Sequence, residues 1–265
     1  MCIRDSFSNS GTFTLNSDAD EFSSIIVGGS SSGDIIYNRY VNTVGSGEWD
    51  LVGSPVDGLS IDAFVTANSS AIAESGSSYA FGIFDNVANS WNNYTTTSVA
   101  NAGNFDIGSG YQMATNNGQT LAFTGTIATN DQGQSVINNN ASGGRRWNLV
   151  ANPFPSYLKA TNGADATNNF LKVNLDSGVI DNGAFSAIYG WNADGSGYTP
   201  YNHTSGSVYM APGQGFFIAA ASASSANLSF TQAMQTITGG DDFVGGRMAN
   251  TSSSFHLKLY EDGDF

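Results

Sequence analysis

The sequence predicts an all-β fold of two tandem β-sandwich or jelly-roll-like modules, with a short β lead-in and little helix. One observation is an internal duplication of apolar stretches that end in proline. A second is the punctuation of strand-like runs by Gly, Asn and Ser about every eight to twelve residues, a spacing typical of sandwiches. The third is composition: aromatic residues make up 12% and charged residues 11%, which suits strands joined by uncharged turns.

The duplication is clearest in two stretches led by tryptophan. Glu48–Val56 is the first copy and Arg146–Leu158 the second, with Trp49 and Trp147 at an offset of 98 (147 minus 49). Further matches follow in the same order: Phe64–Asn68 with Phe170–Asn174, Ile83–Phe84 with Ile188–Tyr189, Gly108–Tyr111 with Gly213–Phe216, and Leu121–Thr124 with Leu228–Thr231. A period near 100 residues exceeds that of a solenoid coil or propeller blade, so each copy is interpreted as a small domain.

The predicted boundaries follow from these matches. Module A covers residues 41–142 and module B residues 143–240, joined by the turn-rich Asn138–Gly144. Residues 7–40 form the lead-in, which is either the end of a preceding solenoid or the first strands of module A. Residues 241–265 are the start of a further, truncated β segment. Met1–Ser6 is similar to a translated adaptor sequence, and we interpret the chain as an internal fragment of a longer protein.

Helix is predicted at only two places. Ser60–Ala67 and Ala164–Leu175 could each form two or three turns, and they occupy matching positions in the repeat.

Charge excludes one class of partner. The net charge is −14 with only 8 Lys and Arg, whereas nucleic-acid binding depends on clustered cations. The acidity is interpreted as solubility in a salty extracellular medium. No apolar run approaches the roughly 18 residues needed to span a bilayer, so membrane insertion is not expected. The single cysteine, Cys2, permits no internal disulfide.

Catalytic patterns fail on inspection. Gly29–Gly33 fits a nucleophile elbow, but an elbow leads into a helix and a strand pattern follows here. His203 and His256 are the only histidines and have no zinc-ligand spacing. We therefore expect a protein that is not an enzyme and has no cofactor, with calcium the one ion considered.

The calcium hypothesis concerns one Gly-rich turn. Asn192, Asp194 and Ser196 place oxygen side chains on alternate residues, as in a calcium loop. An ordinary hairpin turn explains the same residues, because no carboxylate follows at the distance expected of a bidentate ligand.

Aromatic residues provide the candidate ligand site. Trp91, Tyr94, Tyr198 and Tyr201 lie in matching places in the two modules, where exposed rings would stack on sugars. The alternative is that half-buried aromatics cap the sandwich. Trp49 and Trp147, in contrast, are predicted to be buried core anchors. The paired glycines, Gly108/Gly110 and Gly213/Gly215, suit a turn that enters a buried strand.

A family resemblance rests on three stretches. Trp147–Tyr157, Ala187–Asn192 and Ala211–Ile218 together resemble a module common in large secreted proteins of Bacteroidota that are often exported by the type IX system. The resemblance extends over residues 34–265. It implies an extracellular or cell-surface location and a β-rich repeat module. Module A departs from the pattern by having Gly53–Pro55 where module B has Ala151–Pro153.

Two functions remain open. The first is a non-enzymatic extracellular or cell-surface module of a larger secreted protein, with a spacer or adhesin-like role. The alternative is a carbohydrate-binding module attached to an enzyme outside the fragment. Glycans or other surface components are the expected partners, and the exposure of the four aromatic residues discriminates between the two functions.

Overall fold

A computed structural model describes residues 2–45, 49–139, 145–192 and 196–240. The predicted segment 241–265, residues 140–144 of the module join, and Asp194 lie outside the described residues. Strands account for 45% and helix for 9%, so the predicted all-β class with little helix is confirmed. No helix in the described part is long and apolar enough to cross a membrane.

The strands are short and are distributed among several sheets. In chain order they are β1 Cys2–Ser8, β2 Thr14–Asn16, β3 Ile25–Ser32, β4 Ile35–Val41, β5 Asp50–Val52, β6 Glu74–Ser75, β7 Ser78–Asp85, β8 Ser90–Thr95, β9 Tyr111–Met113, β10 Gln119–Gly125, β11 Gln132–Val136, β12 Trp147–Ala151, β13 Tyr157–Lys159, β14 Ile188–Asn192, β15 Gly197–Tyr201, β16 Tyr209–Met210, β17 Gly215–Ala219, β18 Ala226–Phe230 and β19 Gln235–Thr236. The two α-helices are α1 Ile61–Ala67 and α2 Phe170–Asp176.

The lead-in combines features of both predicted alternatives. β1 pairs with β3 and β2 pairs with β4 in parallel, the geometry of two stacked coils. β4 then pairs antiparallel with β10 along its whole length, which joins the last lead-in strand to a strand of the predicted module A in one three-stranded sheet. β1 includes part of the segment interpreted as adaptor. The module boundaries at 41, 143 and 240 stay a prediction.

The two larger of the buried apolar clusters in the described residues lie in successive parts of the chain. One draws its members from residues 25–127 and the other from residues 128–234; we call these ranges the first half and the second half. In the first, the rings of Phe64, Phe81 and Phe123 meet at centroid distances of 5.4 and 4.6 Å from Phe64. In the second, Phe170 contacts Phe216 at 5.2 Å and Phe230 at 5.0 Å.

The main sheet of each half has the same strand order. β5-β9-β7-β8 in the first half corresponds to β12-β17-β14-β15 in the second. The pairing register also corresponds: Leu51 lies opposite Gln112 as Leu149 lies opposite Phe217. The structure shifts one predicted match, because Phe81, not Ile83, pairs with the central strand as Ile188 does.

An asparagine makes the same set of hydrogen bonds in each half, from Asn68 directly after α1 and from Asn174 within α2, and we call this set a clasp. The Asn68 side-chain amide donates to the carbonyls of Phe64 and Ala122, at 2.9 and 3.0 Å, and accepts from the Ala122 N–H at 2.8 Å. In the second half, Asn174 makes the matching bonds to Phe170 and Ser229 at 3.0, 3.0 and 2.8 Å. Each clasp ties a helix to a strand later in the same half, α1 to β10 and α2 to β18.

Two of the backbone hydrogen bonds that join the halves link equivalent residues of the repeat in opposite directions. The Gly53 N–H donates to the Gly213 carbonyl at 2.8 Å, and the Ala151 N–H donates to the Gly108 carbonyl at 2.8 Å. Gly53 and Ala151 are equivalent residues, because each follows the matching leucine of its strand, β5 or β12, at the same distance. Gly108 and Gly213 are equivalent in the same way, each preceding the matching strand, β9 or β17. The contact is therefore self-complementary, like that of a two-fold dimer.

Glycine is required where the backbones approach. A Cβ on Gly53 would lie 2.3 Å from Ala151 Cβ, and one on Gly215 would lie 2.6 Å from the Leu51 carbonyl carbon. Gly108 and Gly213 both have positive φ, at 83° and 65°. The paired glycines were predicted only to form turns. In the structure they also allow the backbones of the two halves to approach closely.

Gly215→Ala is expected to lower the free energy of unfolding by about 1–3 kcal/mol, the usual cost of overpacking. The added methyl meets backbone, which cannot rotate away. The measurement is the denaturant midpoint at unchanged slope. Gly206→Ala is the control, because a Cβ there meets nothing within 4 Å; equal losses at the two positions would contradict the close approach.

The prediction that Trp49 and Trp147 are buried core anchors is wrong, because both are only partly buried. Strand residues alternate between faces, and Trp147 lies on the face opposite to the fully buried Val150. The Trp147 ring instead packs edge-on against Phe185 and Tyr189, at 5.4 and 4.8 Å.

Candidate ligand-binding cleft

A cleft lies between the outer faces of the two main sheets. It encloses about 220 Å³, and its lining residues are Trp49, Leu51, Trp91, Gln112, Trp191 and Tyr198. The first four come from the first half and the last two from the second, so the cleft exists only because the halves dock. Its volume is below the roughly 300–1,000 Å³ of pockets for drug-sized ligands, which favours a single small ring or a chain end.

The walls are positioned by two hairpins. β7 and β8 place Phe84 opposite Trp91, and β14 and β15 place Trp191 opposite Tyr198. The ring pairs lie edge-on at 5.3 and 4.8 Å. Trp91 and Tyr198 are 37% and 45% exposed, so each presents part of its ring to a ligand.

Phe217 contacts residues of both walls of the cleft. Its ring contacts Phe84 at 4.9 Å, Trp91 at 6.0 Å and Tyr198 at 5.5 Å, each at a steep angle. Phe217 is only 5% exposed. Such edge-to-face contacts fix ring orientation, so the walls are preorganised.

Polar groups lie on the cleft's floor and wall. The Gln112 side-chain amide donates to Asn93 Oδ1 at 2.6 Å. Burial raises the pKa of Tyr198 to about 12; its hydroxyl, like that of any tyrosine, is protonated at neutral pH and can donate a hydrogen bond.

The four predicted aromatic residues separate into two pairs. Trp91 and Tyr198 share the cleft, as the sugar-stacking hypothesis requires. Tyr94 and Tyr201 are partly buried and pack against the cores of the first and second halves, as the capping alternative requires. The reason is strand alternation, because residues three apart on β8 or β15 lie on opposite faces.

Tyr94 borders a second depression between the halves. This groove of about 370 Å³ is also lined by Asp106, Tyr111 and Asn148. Burial, followed by the charge of Asp106, raises the pKa of Tyr94. The aromatic residues that line the groove, Phe84, Tyr94 and Tyr111, are partly or fully buried, so the cleft with its two exposed rings is the stronger site.

Sequence reasoning missed four cleft residues: Trp49, Leu51, Gln112 and Trp191. Trp49 was assigned to the core, and Trp191 was quoted only for the family resemblance. The sequence did contain a signal for Trp191. Trp191 follows Phe84 by the same number of residues as Tyr198 follows Trp91, and the structure pairs Trp191 with Tyr198 as it pairs Phe84 with Trp91. Gln112 gave no signal in the sequence alone.

The predicted calcium ligands are only partly described. Asn192 donates from Nδ2 to Ser196 Oγ at 3.0 Å, and its Oδ1 accepts from Thr199 at 3.0 Å. Both amide atoms therefore help to close the β14–β15 hairpin, while Asp194 lies outside the described residues. Within the described ranges, no group of three His, Cys, Asp or Glu side chains is placed to hold a metal ion.

Fold and site together define a class: an all-β protein with an aromatic cleft between two similarly ordered halves. The chain belongs to the family described as Domain of unknown function (DUF8693), whose model matches residues 1–259. Searches of curated proteins and of solved structures found no match.

Proposed function

We propose that this chain is a non-enzymatic carbohydrate-binding module of an extracellular or cell-surface protein. The observation that carries the proposal is the cleft in which Trp91 and Tyr198 are both exposed and face the same space. Aromatic faces bind the apolar faces of sugar rings, and a few polar groups fix ligand orientation. The proposed location depends on the resemblance to secreted Bacteroidota modules.

Charge supports a neutral ligand. The net charge of −14 disfavours anionic ligands, and the six lining side chains carry no charge. A neutral sugar meets no repulsion in such a site, whereas a phosphate or carboxylate finds no cation there. Adhesin-like attachment to a glycan is consistent with this chemistry.

The test is a glycan array probed with the whole chain, followed by calorimetry on the strongest neutral glycan. We expect Trp91→Ala and Tyr198→Ala each to weaken binding about tenfold or more, since truncation of a central aromatic contact costs about 2 kcal/mol or more. Trp147→Ala is the matched control: Trp147 is also a partly buried aromatic residue, but it does not line the cleft.

A spacer without a ligand is the second candidate. The direct backbone bonds between the halves, from Gly53 to Gly213 and from Ala151 to Gly108, favour a rigid unit. Absence of binding across the array, with the fold intact, would support the spacer; equal loss of binding in the Trp147 control would reject the cleft as the site.

A further inference from the structure

The outer faces of the two main sheets differ in chemistry at matched positions. Gln112 of the first half corresponds to Phe217 of the second, because each lies opposite the matching leucine of the neighbouring strand. Gly82 corresponds to Tyr189, because Gly82 lies opposite Gln112 and Tyr189 lies opposite Phe217. One face is therefore polar and open where the other is filled by aromatic rings.

This difference explains why the cleft opens at Gln112 and not at the equivalent position, Phe217. On the second half's side, Phe217 is buried against Phe84 and Trp91. On the first half's side, the smaller Gln112 leaves the space that Trp191 and Tyr198 overhang. The asymmetry of sequence, on a nearly symmetric backbone, creates the cavity.

Gly82 makes the polar floor possible. A Cβ at this position would lie 2.5 Å from Asn93 Oδ1 and 2.7 Å from Asn93 Cα. Without a side chain at residue 82, Asn93 can lie across β7 and accept the hydrogen bond from Gln112. Any larger residue would displace the Asn93 amide.

The Gln112–Asn93 pair has hydrogen-bonding capacity to spare. One bond joins Gln112 Nε2 to Asn93 Oδ1. Gln112 Oε1 and Asn93 Nδ2 make no hydrogen bond within the described part of the protein, which leaves an acceptor and a donor. A neighbouring pair of hydroxyls on a sugar matches such a donor and acceptor.

We infer that Gln112, with Asn93 held in place by Gly82, determines which sugar the cleft accepts, and that the two main sheets, as far as the structure describes them, form one such site and not two. The inference rests on the proposed function and adds its specificity. The aromatic walls supply contact that differs little between epimeric sugars, whereas an amide pair distinguishes the orientation of a hydroxyl. Loss of a required hydrogen bond is what gives a polar site its discrimination.

The test measures affinities of the whole chain for methyl β-glucopyranoside, methyl β-galactopyranoside and methyl β-xylopyranoside by saturation-transfer NMR. Gln112→Leu keeps a similar volume but removes the amide. We expect it to weaken the preferred pyranoside about three- to tenfold and to bring the three affinities close to one another. Gln119→Leu, on β10 and outside the cleft lining, is the matched control and should change nothing.

A second variant tests the filling of the cleft. Gln112→Phe copies Phe217 and should abolish binding of all three pyranosides while the midpoint of thermal unfolding stays equal or rises. Wild-type selectivity retained in Gln112→Leu, or binding retained in Gln112→Phe, would overturn the inference while the proposed function stands. Absence of binding by the wild-type chain to these pyranosides and to the array would overturn both.

Discussion

Phe170→Ala is expected to lower the free energy of unfolding by about 3–5 kcal/mol, the range for truncating a buried aromatic residue. Phe170 is fully buried and contacts Phe216 and Phe230 at centroid distances of 5.2 and 5.0 Å. Its removal leaves a cavity between α2 and two strands. The loss is a large part of the roughly 5–15 kcal/mol that stabilises a domain, and it is measured from the denaturant midpoint at unchanged slope.

Two further variants sharpen this result. Phe64→Ala removes the matching ring of the first half, which is also fully buried, and should cost a similar amount. Trp147→Ala should cost less than half as much, because that ring lies on the outer face of its sheet and is only partly buried. A Trp147 loss as large as the Phe170 loss would show that the repeated signature is the structural anchor after all.

Asn174→Ala is expected to lower the free energy of unfolding by about 2–4 kcal/mol. The side chain is fully buried and satisfies both the N–H and the carbonyl of Ser229. Each backbone group left buried without a partner costs about 1–3 kcal/mol. Denaturant unfolding measures the change, and hydrogen exchange of the Ser229 amide should accelerate because its acceptor is lost.

The matched variants test whether the clasp is a shared device. Asn68→Ala should cost a comparable amount, since its three bonds have nearly the same lengths. Asn174→Asp keeps the acceptor for Ser229 N–H but loses both donated bonds, so the exchange of that amide should remain slow while stability falls. If Asn174→Ala leaves the free energy of unfolding unchanged, the clasp does not stabilise the fold.

Strand content and the order of matched segments were predictable because they depend on local chemistry. Alternating apolar runs broken by Gly and Asn predict strands. The match of Phe64–Asn68 with Phe170–Asn174 placed the two predicted helices at equivalent positions, but the clasps made by Asn68 and Asn174 were not predicted. The offset of the β7 and β14 match was wrong by two residues, since a shift of two keeps every side chain on the same face of a strand. Hydrophobic pattern cannot detect such a shift.

The candidate site was likewise predictable only in part. All four aromatic residues were predicted as one group from their places in matching loops, and separating Trp91 and Tyr198 from Tyr94 and Tyr201 required the pleat to be known. Gln112 became a site residue only when its counterpart, Phe217, was seen to occupy the equivalent space. That comparison needs the pairing register of both sheets.

By itself the sequence determined an all-β chain, an internal repeat and a surface poor in cations, because periodicity, turn residues and charge are local or additive properties. The tertiary structure alone decided that the tryptophans of the repeat lie on outer faces and that glycines bring the halves into contact. It also decided that one half's glutamine faces the other half's rings. These features depend on the docking of two surfaces that lie far apart in sequence. The strand pattern of either half alone does not predict that contact.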